Sequence, residues 1–318
     1  MSRFRSEVLD WFDAGRIARG REGEVLREAG MIPAPAQWLA FLGQLTLWLG
    51  TLASAAAVIF FFAFNWDDLG RMAKFALVEA AILAALIGCW RVGLDSLAGK
   101  ACLLLLSLLT GALLALTGQV YQTGADSFDL FAWWAILILP WVLVSRFAPL
   151  WLFWLALVDL CAILWFGDGP EGEPLMWTLF GLNGSALMLW EAAHRLGAAW
   201  LRDEWPPRLV AIASGVMATI LAISAITDSA GDPRQRLLAA SAYLLWVGAF
   251  YFWYRRIRPD LFMLAGGVLS LIVAIVALLS QHLLGEGSAG FLLIGLTVIA
   301  LSAGGAIWLK SVAREQRA

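Results

Sequence analysis

Charge is what this chain has least of. Of its 318 residues 14% are charged and 61% are hydrophobic. A soluble domain carries about 25% charged residues, so there are too few here to cover a water-facing surface of this size. The formal net charge of −2 gives no overall basic field, which argues against nucleic acid as a partner. Cysteine is scarce: Cys89, Cys102 and Cys161 all lie within apolar runs. An odd count without paired spacing argues against a disulfide framework or a zinc site, and leaves the thiols as small buried hydrophobes. The two histidines, His194 and His282, fall at helix ends on opposite faces of the predicted membrane, where they cannot share a metal. The sequence contains no HExxH motif, no GxGD pair, no Walker pattern and no serine nucleophile with a histidine partner. The expectation is a protein that is not an enzyme and uses no cofactor and no metal.

What the chain does have is apolar length. Its mean hydropathy is +0.79, and several runs exceed the ~18 residues that indicate a spanning helix. Ten spans are predicted, at about 38–64, 72–92, 98–118, 128–145, 149–166, 174–194, 208–227, 237–254, 260–282 and 289–310. The fold class is therefore all-α: a polytopic transmembrane helix bundle in a lipid bilayer, over residues 38–310. Residues 311–318 form a short tail. The first span is too long for a signal-peptide core of roughly 7–15 residues, and reads as an uncleaved anchor.

Ahead of the bundle, residues 1–37 form a short amphipathic helical segment. Phe4, Val8, Trp11 and Phe12 make one apolar stripe at i, i+4, i+7 and i+8, and Gly15 suits a helix end. A second short helix is expected from about Ile17 to Ala29, weakened by Gly20 and Gly23. This segment can lie on the membrane, dock on the bundle or bind a membrane or envelope protein partner.

Lysine and arginine in the short connections set the orientation. With the N-terminus inside, twelve fall on the inner side, from Arg91 and Lys100 through Arg255, Arg256 and Arg258 to Arg317. Only Arg71, Lys74, Arg234 and Arg236 fall outside. Both termini are therefore expected on the cytoplasmic side. Many tryptophans sit near predicted span ends, among them Trp38, Trp90, Trp151, Trp165 and Trp190, and suit anchors at the headgroup level.

One connection stands apart from its greasy neighbours. Asn65, Trp66, Asp67 and Asp68 occupy the outer turn between the first two spans. Asp67 or Asp68 can cap the second span, where free N–H groups and the helix dipole favour a carboxylate; that explains the residue types without invoking function. The run FFFAFNWDDLGRMAKF (60–75) resembles the first-hairpin signature of the bacterial membrane-protein family called domain of unknown function 2157. WFDAGRI (Trp11 to Ile17) is similar to that family's N-terminal lead. GQVYQTGADSFDLFAWWAILILPW (Gly118 to Trp141) is similar to its next marked stretch. The resemblance covers roughly the first 145 residues. It implies a multi-pass protein of the bacterial inner membrane with no established activity, in which Asn65, Trp66, Asp67, Gln119 and Tyr121 recur as a set. With Asp68 these form a candidate periplasmic patch.

Polar residues within spans are costly in hydrocarbon and face a cavity or a partner. Glu79 lies seven residues into the second span, Asp159 near the middle of the fifth and Asn183 near the middle of the sixth. These three are the candidate intramembrane polar site, either fixing helix packing or binding a cation or proton. Gln44 and Glu191 lie nearer span ends. Two functions follow: a non-enzymatic membrane component acting with a partner in the cell envelope, or a small-molecule or ion transporter using the intramembrane carboxylates.

Overall fold

A computed structural model of the chain describes residues 11, 14, 22–28, 32–64, 69–122, 124, 126–167, 173–201, 203–228, 232–283 and 288–316. Among these residues it is all-helical. The eleven α-helices are α1 (Glu22–Glu28), α2 (Pro35–Phe64), α3 (Arg71–Val92), α4 (Leu97–Tyr121), α5 (Ser127–Ser145), α6 (Ala148–Phe166), α7 (Glu173–Arg195), α8 (Trp205–Thr227), α9 (Pro233–Phe252), α10 (Leu261–Leu283) and α11 (Ser288–Glu315). The expected stripe of Phe4, Val8 and Phe12 lies outside the described residues, and α1 covers the later part of the second helix expected before the bundle. The final helix runs to Glu315, into the stretch expected as a tail.

Local chemistry sets the boundaries. Pro149 opens α6 and Pro206 opens α8, positions where a missing N–H and a fixed φ suit the first turn. At α9 the Asp232 side chain accepts from the Arg234 N–H at 3.0 Å, with Pro233 following it. Arg146, in the left-handed conformation at φ 45°, ends α5. At α3 the residue before the first turn is Gly70, with no side-chain cap; Asp67 and Asp68 lie outside the described residues.

The chain divides into two compact units, Met1–Val120 and Tyr121–Ala318. In the first, α3 and α4 make a hairpin around Val78 and Leu116, both buried, with Val58, Phe75, Ile82 and Leu113 packed against them. The turn is closed by Ser96, whose hydroxyl donates to the Gly93 carbonyl and accepts from the Gly99 N–H, each at 2.9 Å. A Cβ on Gly99 would lie 2.0 Å from the Gly93 carbonyl oxygen, so this approach needs glycine. Gly43 and Gly50 on α2 have no atom within 4 Å of a built Cβ. They line an open groove that faces Ala98 and Ala101 of α4.

In the second unit α8 is the central helix, in contact with α6, α7, α9 and α10. Its buried face carries small residues, Ala211, Ser214, Ala218, Ala222 and Ala225, which let neighbouring backbones approach. One core cluster of this unit joins Leu187 of α7, Val210 and Ala211 of α8, Phe250 of α9, Met263 and Leu264 of α10, Tyr254, and Val312 of α11. Between α9 and α10 a π-helical turn, Trp253–Ile257, is marked by the Arg258 N–H donating to the Trp253 carbonyl at 2.9 Å.

Nine of the described helices are long and apolar enough to cross a membrane. The one long helix outside that group is α7, at 23 residues, about 34 Å at ~1.5 Å per residue. Its buried face runs Leu179, Asn183, Leu187, Trp190 and Glu191, a stripe with helical spacing in which polar and apolar residues alternate. Two of its polar residues, Asn183 and Glu191, thus lie on the face turned into the bundle.

Candidate functional site

Asp159 and Asn183 meet. On α6 and α7, which are joined by a short connection, the Asn183 amide Nδ2 donates to both carboxylate oxygens of Asp159, at 3.0 and 3.1 Å. The same nitrogen lies 3.1 Å from the Leu179 carbonyl oxygen one turn back. Asn183 is 3% exposed, and Asp159 is half-buried. The pair sits about 15 Å into each helix at ~1.5 Å per residue, near the middle of the hairpin. In hydrocarbon such a bond replaces water that neither group can reach, and adds about 0.6 kcal/mol to helix association, up to roughly 1.7.

Glu79 belongs to the first unit, where it is exposed on α3. Of the candidate periplasmic patch, Asn65, Trp66, Asp67 and Asp68 lie outside the described residues. Gln119 and Tyr121 are both exposed in the last turn of α4, followed by Gln122 in the left-handed conformation at φ 45°.

A second polar centre forms where α7 ends. Glu191 is 4% exposed. Its Oε1 accepts from the Tyr254 hydroxyl at 3.0 Å and from Arg258 at 2.9 Å, and its Oε2 accepts from the Trp253 indole N–H at 3.3 Å. One carboxylate therefore takes three donors from the π turn and the residue after it. The extra residue in a π turn shifts the helical register, and here Trp253, Tyr254 and Arg258 all converge on α7. Nearby, Arg208 of α8 pairs with Asp260 at 3.0 Å and with Glu204 at 2.7 Å. The other Asp260 oxygen accepts from the Phe262 N–H at 2.9 Å and so caps α10.

A third set lies inside the bundle. The Ser270 hydroxyl of α10 is 2.7 Å from that of Thr219 on α8 and 3.1 Å from the Tyr243 hydroxyl on α9. Trp246 of α9 donates to Ser214 of α8 at 2.9 Å. Among the described residues no group of three or more His, Cys, Asp or Glu side chains is placed to hold a metal ion.

Sequence reasoning placed Asp159 and Asn183 at similar depths and left Glu191 as a polar residue near a span end. It missed the partners of Glu191. The available signal was helical phase: Glu191 lies eight residues after Asn183 and four after Leu187, on one face. The hydroxyl set around Ser270 carries no signal, since serine, threonine and tyrosine are common on spanning helices and bond their own backbone.

No curated protein and no solved structure matches the chain. The model of a family described as "Predicted membrane protein (DUF2157)" matches residues 9–151. The match takes in Glu79, the candidate periplasmic patch and all of α5, and ends inside α6 before Asp159 is reached. The matched residues include the first hairpin and the Trp-rich stretch through which the sequence resembles that family.

Proposed function

We propose that this protein is a non-enzymatic integral component of the bacterial inner membrane that acts with a membrane or envelope protein partner engaged through residues 1–37. The observation that carries this reading is where the polar side chains are spent. Asp159 is bonded to Asn183, Glu191 to Tyr254, Trp253 and Arg258, and Ser270 to Thr219 and Tyr243. Each set joins two or more helices, which favours a self-satisfied bundle over a hydrated path. The excess of lysine and arginine on one side of the predicted spans supports both termini facing the cytoplasm. The amphipathic pattern of residues 1–37 supplies a surface for the partner.

The test is a pull-down in mild detergent with wild type, a variant lacking residues 1–37, and Asp159→Asn. A partner retained by Asp159→Asn and lost with residues 1–37 is the expected result. Equal recovery from all three would sink the role given to the N-terminal segment. The transporter reading has one observation in its favour: Asp159 is an ionisable group inside a spanning helix and only half-buried. It requires a cation or proton flux in proteoliposomes that Asp159→Asn abolishes while the protein stays folded.

A further inference from the structure

At the end of the second unit, a groove of about 270 Å³ opens between the last turn of α7 and the π turn, lined by Glu191, His194, Arg195, Trp253, Ile257 and Arg258. We propose that this groove binds the phosphate of an anionic phospholipid headgroup.

The charge balance is the first argument. Among the described residues the carboxylate lining the groove is Glu191, and it is already engaged by Arg258, Tyr254 and Trp253. The next nearest in sequence, Asp260, is held by Arg208 and by the α10 N-terminus. Arg195 has no ion pair among the described residues; its guanidinium lies 4.8 Å from the centre of the Trp253 ring. Two guanidinium groups against one carboxylate leave the groove one positive charge in excess.

Geometry is the second. A guanidinium set over an indole ring is held there without giving up its N–H donors, and a guanidinium fork matches two oxygens of a phosphate.

Depth is the third. The apolar segment through α9 and the π turn ends at Ile257, and α7 ends at Arg195. The groove therefore lies at a span end, where headgroup phosphates are concentrated and where basic pockets between helices take anionic headgroups. Its volume falls just under the ~300–1,000 Å³ of sites that engulf a drug-sized ligand, which suits a headgroup rather than a whole lipid.

The test is native mass spectrometry of the full chain in a nonionic detergent, titrated with dioleoylphosphatidylglycerol. Dioleoylphosphatidylcholine is the uncharged reference, and inorganic phosphate and glycerol 3-phosphate are the soluble probes. The expected result is a one-to-one adduct that forms with phosphatidylglycerol in preference to phosphatidylcholine. Arg195→Gln should weaken it about fivefold, the effect of one cation at the membrane surface. Arg195→Lys should weaken it by less than Arg195→Gln, because the charge is kept while the planar fork is lost, and Arg91→Gln in the other unit should change nothing. Equal adducts with the two lipids, or unchanged phosphatidylglycerol binding in Arg195→Gln, would overturn the proposal. Arg195-dependent binding of the soluble phosphates without the lipid would overturn it too, by assigning the site to a soluble anion. If Arg195→Gln does not fold, loss of phosphatidylglycerol preference in folded Arg195→Glu is the expected result, and its retention would refute the site.

Discussion

Replacing Glu191 by alanine should loosen the second unit, and the size of the effect follows from what is stranded. The Tyr254 hydroxyl is in a side chain only 2% exposed, and without Glu191 it loses its acceptor; an unsatisfied buried donor costs about 1–3 kcal/mol. Removing one partner of a buried ion pair costs about 3–5 kcal/mol. That figure must be reduced here, because the Arg258 side chain is 21% accessible against 5% for Glu191 and can turn its guanidinium to water or headgroups. A net loss of about 2–4 kcal/mol is expected for Glu191→Ala. Glu191→Gln keeps an acceptor oxygen for Tyr254 and loses mainly the charge, so about 1 kcal/mol is expected. Tyr254→Phe removes one donor and its acceptor stays engaged by Arg258 and Trp253, which again gives about 1 kcal/mol. Thermal melting in one detergent, followed by tryptophan fluorescence, should rank the four proteins wild type, then Gln and Phe together, then Ala. Glu191→Ala melting with wild type would refute the assignment of Glu191 as the tie between α7 and the π turn. Glu191→Gln falling as far as Glu191→Ala would refute the claim that the accepted hydrogen bonds, more than the charge, hold the centre.

Asn183→Leu should lower the melting temperature more than Asp159→Asn, since it takes away the donor and strands a carboxylate inside a span. The asparagine at 159 still accepts, and its loss should be near the ~0.6 kcal/mol of an average interhelical bond. Gly99→Ala should destabilise the first unit by about 1–3 kcal/mol through overpacking, because its Cβ would sit 2.0 Å from the Gly93 carbonyl oxygen. Limited proteolysis at the turn between α3 and α4 would report it, and wild-type resistance would count against the close approach. Ser270→Ala should cost about 1 kcal/mol by removing the hydroxyl shared by Thr219 and Tyr243, read by melting as above.

Helix positions were legible because hydrocarbon demands apolar length. The run predicted at 128–145 is Ser127–Ser145 in the structure, and that at 174–194 is Glu173–Arg195. Depth was legible too, which is why Asp159 and Asn183 were named together. Rotation was not. Glu79 and Asp159 look alike as ionisable residues in spans, yet Glu79 is exposed on α3 while Asp159 turns to Asn183. The tryptophans divide the same way. Trp90 is 84% exposed, as an anchor should be, whereas Trp190 is 9% exposed and packs with Ala148 and Leu201. A spanning helix can be apolar on every side, so a lipid-facing tryptophan and a core tryptophan leave the same trace. The Glu191 centre was out of reach for another reason: its donors lie 62 to 67 positions further along the chain, brought back by two helices and a π turn.

The central claim is that the polar groups inside the bundle hold helices together and do not carry a solute. Its most direct test is proton and cation flux in proteoliposomes containing the wild-type protein, beside protein-free vesicles and vesicles with folded Asp159→Asn. The account predicts the same flux in all three, with a small fall in melting temperature for the variant. A flux present only with wild type, and lost in Asp159→Asn at unchanged stability, would contradict it.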